Sequence, residues 1–264
     1  MRLSSAAVAA PVWLALSFGA LAQEQRSLTA GYDIYTGGLQ IVELDVAFGI
    51  DSSAYGIEAR LRTRGFYATL FSWEQINRVE GRIAAIGVAP QRFEQRGRFR
   101  GQQRSVDIAY RGGMVEDVRV HPTGEDDYDR EVLPVETVRA DLDPLSGIVL
   151  LTLRLEKGGD CSGGYDGFDG RRRFRIDLTD AGSDAVEVGG RPPRAARVCD
   201  FVYRQIGGYA RRVSWGPDRQ REPRLGRFWL AEALPGAPVI PVRMEMDNSW
   251  GRMIAHLRSA AMGR

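Results

Sequence analysis

Three side-chain types are almost missing from this chain of 264 residues. Lys157 is its only lysine, His121 and His256 are its only histidines, and Cys161 and Cys199 are its only cysteines. The histidines stand far from the cysteines and lack ligand spacing, so no zinc site is assigned. A serine triad has no support either, because no Gly-x-Ser-x-Gly turn accompanies those histidines. His121, ahead of Pro122, reads as a strand-end residue, and His256 falls in the terminal strand. Charge of one sign is also lacking: 36 basic and 34 acidic residues nearly cancel. That balance gives no electrostatic ground for expecting nucleic acid. With a single lysine, every other basic residue is arginine. This reads first as coding bias, and second as a capacity to recognise phosphate.

Long apolar runs are confined to the beginning. Arg2 precedes an apolar stretch from Ala6 to Ala20, and Ala20-Leu21-Ala22 supplies small residues before polar Gln23-Glu24-Gln25. The pattern is that of a secretory signal peptide over residues 1–22, cleaved after Ala22 and too short to span a bilayer. The expected location is the periplasm. Residues 23–264 are expected to form one β-rich domain without a membrane span. In an oxidising compartment Cys161 and Cys199 are expected to pair, closing a loop of about 38 residues that adds up to roughly 4 kcal/mol.

The rest of the chain mostly alternates with period two, the mark of half-buried strands. Val42, Leu44, Val46 and Phe48 fall on one face, and Glu43 and Asp45 on the other. Tyr55, Ile57 and Ala59 behave likewise, as do Val106, Ile108 and Tyr110; Phe174, Ile176 and Leu178; and Ile240, Val242 and Met244. Glycine and Asp-Ser turns separate these runs, as short antiparallel connections require. The predicted fold is mainly antiparallel β, a curved sheet or open half-barrel. One segment departs from it. Asp143 and Pro144 can start a helix that Gly158-Gly159 ends, and the apolar residues between them cover nearly its whole circumference. A buried helix over 144–157 is therefore expected across the concave face, as plug or lid.

No catalytic constellation emerges, so the chain is read as non-enzymatic, with a hydrolase the remote alternative. The acidic stretch Glu125–Glu131 reads as a solvated loop, and Asp166–Gly170 as a tight turn; neither has calcium-loop spacing. The Arg/Pro-rich stretch 211–227 reads as an exposed loop. Within Arg171-Arg172-Arg173, Arg172 is placed on the Phe174 side, where burial would demand a carboxylate partner. The candidate ligand-binding residues are Leu145, Ile148 and Leu151 on the helix, lining a space for an apolar small molecule or a lipid acyl chain. No cofactor or metal is assigned. The alternative function is a structural or assembly factor contacting another envelope protein.

Four pieces in order carry a resemblance. They are Tyr32-x-x-Tyr35-x-Gly37-Gly38-Leu39, then Asp143-Pro144-Leu145-Ser146, then Cys161 with Phe168-Asp169-Gly170-Arg171-Arg172, and finally Cys199 with Ile206-Gly207-Gly208-Tyr209. Together they resemble the exported bacterial proteins grouped as domain of unknown function 3108, over essentially the whole mature length. The resemblance implies no activity; its paired cysteines agree with a disulfide. The layout also resembles the half-barrel of periplasmic lipoprotein carriers, a likeness of architecture alone.

Overall fold

The computed structural model describes residues 26–65, 67–70, 72–213, 218–248 and 251–263. The expected signal peptide and its cleavage site lie outside these residues. Among them, no helix is long and apolar enough to cross a membrane.

Seven strands follow one another first: β1 (Arg26–Thr36), β2 (Leu39–Ile50), β3 (Ala54–Thr63), β4 (Trp73–Ala84), β5 (Gly87–Phe99), β6 (Gln102–Arg111) and β7 (Met114–His121). A short helix, α1 (Tyr67–Leu70), lies between β3 and β4. The chain then crosses through α2 (Val135–Val138) and α3 (Pro144–Glu156) to β8 (Gly163–Phe168). It returns through β9 (Arg173–Val188), β10 (Arg191–Gly207), α4 (Asp218–Arg221), β11 (Arg224–Glu232), β12 (Val239–Asn248) and β13 (Gly251–Met262). All pair antiparallel in one sheet ordered β7-β6-β5-β4-β3-β2-β1-β13-β12-β11-β10-β9-β8. Two meandering arms thus meet where β1 pairs with β13.

The sheet is open between β7 and β8, yet it curls around one core. Every strand places at least one buried residue in the same apolar cluster, from Leu28 on β1 through Phe93 on β5 to Phe168 on β8 and Leu257 on β13. The segment between α2 and α3 spans the gap between the edges. Arg139 O accepts from Val115 N on β7, and Leu142 exchanges two backbone hydrogen bonds with Asp166 and Phe168 on β8. Unpaired edges invite association, and this seam covers part of both.

Helix α3 crosses inside the curl and touches β4 and β5 on one arm and β8 and β12 on the other. It begins as the sequence predicts. The Asp143 carboxylate accepts from Leu145 N and Ser146 N at 3.0 and 2.9 Å, and Pro144 occupies the first turn. Ser146 Oγ adds a third bond to Asp143 and lies 2.7 Å from Tyr55 Oη. Burial pushes the Asp143 carboxyl up to about 6, against the pull of these hydrogen bonds. The last helical residue, Glu156, pairs with Arg26 at the start of β1. The helix therefore closes the end of the barrel where β1, β3 and β12 begin.

Behind the helix, Cys161 and Cys199 form the expected disulfide, with Cα atoms 6.0 Å apart. Residues 224–227 of the stretch read as an exposed loop belong to β11, where Arg227 pairs with Asp200 of β10. The Arg/Pro-rich loop is thus shorter than its composition suggests, because a strand edge takes up its final residues.

Candidate functional site

At the opposite end of the barrel the strands converge on a cavity of 680 Å³. The sheet supplies its walls from strand ends: Thr36 of β1, Ile41 and Val42 of β2, Thr63 of β3, Trp73 and Gln75 of β4, Gln95 and Phe99 of β5, and Asn248 of β12. Ile41, Val42, Trp73 and Phe99 make an apolar wall, and Gln95 Nε2 donates to Gln75 Oε1 at 3.0 Å beside it. The facing wall is cationic. Arg100 and Arg104 arrive from the β5–β6 hairpin, Arg130 from the 124–131 loop, and Arg171 and Arg172 with Asp169 from the β8–β9 turn.

One carboxylate organises that wall. Asp127 is fully buried, and it accepts from Arg104 at 2.5 Å and from Arg130 and Arg171 at 2.9 Å each. Burial pushes its carboxyl up; the hydrogen bonds from Arg104 and Arg130 outweigh burial and hold it below the ordinary value. Asp127 was expected in a solvated loop, and this is a correction. Its neighbours Glu125 and Asp126 are exposed, so the stretch is solvated in part, but Asp127 turns inward to meet three guanidinium groups.

Arg171 is the most buried of the three, with 9% of its side chain exposed. Its Nη1 donates to Pro122 O and its Nη2 to His121 O and Ser105 O, so it also fastens the β8–β9 turn to β6 and the end of β7. Two glycines admit it. Gly170 and Gly208 both have positive φ, and a Cβ would strike Val106 at the first and the Arg171 carbonyl at the second. Burial and then the charge of Arg104 lower the Arg171 guanidinium, against the pull of Asp127.

The arginine triplet is accordingly redistributed. Arg172, expected to be the buried member, is half exposed and pairs with Asp169 at 2.7 Å. Arg173 pairs with buried Asp141, also at 2.7 Å. Strand parity fails at Arg172 because β9 begins only at Arg173. The two preceding residues belong to a turn in which Asp169 Oδ1 accepts from both their backbone N–H groups.

Leu145, Ile148 and Leu151 do not line this cavity. Leu145 packs against the main core, Ile148 is half-buried, and Leu151 lies in a second cluster with both cysteines, Leu178, Phe201 and Leu230. The helix carrying them closes the far end, so the space between helix and sheet is occupied by side chains where Leu151 sits. Sequence reasoning missed Arg104, Arg130 and Asp127. The available signal was the demand for a carboxylate near Arg171–Arg173, without any means of locating it. Among the described residues, no group of three or more His, Cys, Asp or Glu side chains could hold a metal ion. Ser146 with Asp143 is not a nucleophile–base pair, since both are buried in the helix cap.

No curated protein matches the sequence. Among solved structures, a β-barrel-like protein of the domain of unknown function DUF1849 from Brucella abortus is similar in fold. The match covers 90% of this chain and 98% of that one, with a TM-score of 0.53 at 13% sequence identity. The cysteines, the Asp-Pro-Leu-Ser helix start and the Arg171 turn all fall within residues 31–258, which match the family described as Protein of unknown function (DUF3108), and the chain belongs to that family.

Proposed function

We propose that this protein is a non-enzymatic binding protein of the cell envelope that holds an amphiphile in the open end of its half-barrel. The carrying observation is the 680 Å³ cavity, which falls in the range of about 300–1,000 Å³ of small-molecule sites and has an apolar wall on sheet residues. Ile41, Val42, Trp73 and Phe99 offer an acyl chain a surface fixed by strand pairing. The disulfide and the expected signal peptide accord with export.

The test is recovery of the full-length protein from its native envelope, followed by organic extraction and mass spectrometry, with uptake of a fluorescent fatty acid by the delipidated protein. Co-purifying lipid, and uptake reduced by Phe99→Ala, are expected. Consistent absence of lipid together with no uptake by folded protein would remove this reading.

A further inference from the structure

The cationic wall holds more charge than its partners neutralise. Arg104, Arg130 and Arg171 converge on the single carboxylate of Asp127, which leaves two positive charges over in a cluster whose side chains are between 9% and 17% exposed. The neighbouring acids are engaged elsewhere. Asp169 is paired with Arg172, whereas Glu131 keeps its charge but is exposed, accepts from the backbone N–H groups of Gly208 and Tyr209, and forms no ion pair with the three arginines. Exposed Glu125 and Asp126 act only through water. A buried excess of like charge is costly unless an anion offsets it.

The donors differ in their availability. Arg171 spends its terminal nitrogens on three carbonyls and Asp127, and its buried Nε has no partner. Arg104 gives one hydrogen bond, to Asp127, and Arg130 gives two, to Asp127 and Gly208 O. Each guanidinium has five N–H groups, so Arg104 and Arg130 keep most of theirs for a further acceptor at the cavity wall. Buried Thr36 Oγ1, across the cavity, is likewise without a partner.

We infer that the anion matched to this wall is a phosphomonoester dianion, gripped by Arg104 and Arg130 with Asp127 as the positioning residue. Two excess charges match a dianion better than a monocarboxylate, and planar guanidinium forks suit phosphate oxygens. The inference rests on the reading of the cavity as an amphiphile site. It narrows the ligand to an acyl chain that ends in a phosphomonoester.

Titration calorimetry on the full mature chain tests it, using lauroyl lysophosphatidic acid, lauric acid, monolauroylglycerol and glycerol 3-phosphate below their aggregation concentrations. The expected order is lysophosphatidic acid first, lauric acid next and the uncharged lipid last. Arg104→Gln should cost lysophosphatidic acid about tenfold or more while leaving monolauroylglycerol unchanged. Arg104 is the informative position, because Arg171 also fastens the barrel seam and its loss can unfold the chain. Equal affinity for the three lipids, unaltered in Arg104→Gln, would overturn the headgroup assignment and leave the apolar cavity standing. Glycerol 3-phosphate binding as tightly as the lipid, and lost in Arg104→Gln, would support the phosphate site and overturn acyl-chain binding. No heat from any of the four, with folding verified by circular dichroism, would overturn both.

Discussion

Each end of the barrel holds a buried carboxylate, and the two are stabilised in opposite ways. At the closed end Asp143 is surrounded by neutral donors: two backbone N–H groups and the Ser146 hydroxyl. Among the described residues it has no cationic partner, and burial raises it to about 6. At the open end Asp127 faces three guanidinium groups that hold it below its ordinary value despite burial. The first arrangement uses its acid to begin a helix, and when ionised that acid is a single negative charge met only by neutral donors. The second leaves cationic charge over beside a cavity. A surplus that the fold does not neutralise is a better pointer to ligand chemistry than a shifted pKa, since both ends have the shift and only one has the space.

The most severe way to break the comparison is to remove Asp127. Asp127→Ala leaves three clustered arginines without their carboxylate and is expected to cost about 3–5 kcal/mol. Urea unfolding in chloride and then in phosphate buffer measures it. Partial recovery in phosphate is expected, because an anion can occupy the vacated position; Asp143→Ala should show no such recovery.

Truncation of apolar residues at the two ends should separate core from cavity. Leu151 packs beneath the disulfide with 4% exposure, and Leu151→Ala is expected to cost about 2–5 kcal/mol with little effect on ligand uptake. Phe99 is half-buried on the cavity wall. Phe99→Ala should cost less stability and reduce uptake. The reverse pattern would return the ligand site to the helix. The same closed end contains the Cys161–Cys199 bond, and Cys161→Ser with Cys199→Ser is expected to lose about 2–4 kcal/mol in thermal or urea unfolding.

The closed end was more legible in the sequence than the open one, for a physical reason. Its features are local: Asp143 caps the residues that follow it, Pro144 and Gly158 sit at the helix limits, and period-two alternation locates strands one at a time. The open end depends on closure. Thr36, Thr63, Arg104, Arg130, Arg171 and Asn248 come together only because antiparallel pairing returns alternate strand ends to the same rim and the sheet curls. No periodicity records that. Composition also misled at Asp127, since a run of acids reads as solvated unless the three arginines it meets, from positions 104, 130 and 171, are already in view.

The titration of Asp143 sharpens the comparison further. A carboxyl raised from its ordinary value near 4 to about 6 binds its proton more tightly in the folded state. Its contribution to stability is full below about pH 4 and is lost as pH rises through about 6. Asparagine can also cap a helix without titrating. The stability of the native chain relative to Asp143→Asn should therefore fall by on the order of 3 kcal/mol between about pH 4 and pH 7. Urea midpoints for both proteins across that range give the curve. A constant difference would mean that the carboxyl has an ordinary proton affinity.

The smallest effect is expected where arginine and carboxylate meet in water. Arg26 grips Glu156 through two hydrogen bonds of 3.0 and 2.7 Å, joining β1 to the end of α3. In geometry this pair rivals the Asp127 contacts. However, 38% of the Arg26 side chain is exposed, and Glu156 stands at the helix C-terminus, where the dipole disfavours a negative charge. Glu156 Oε1 also accepts from Val239 N, so it keeps a partner when the arginine is removed. Arg26→Ala should thus cost less than about 1 kcal/mol, and less still in concentrated salt. A loss as large as that of Asp127→Ala would show that distance, and not burial with unequal charge, separates the two ends.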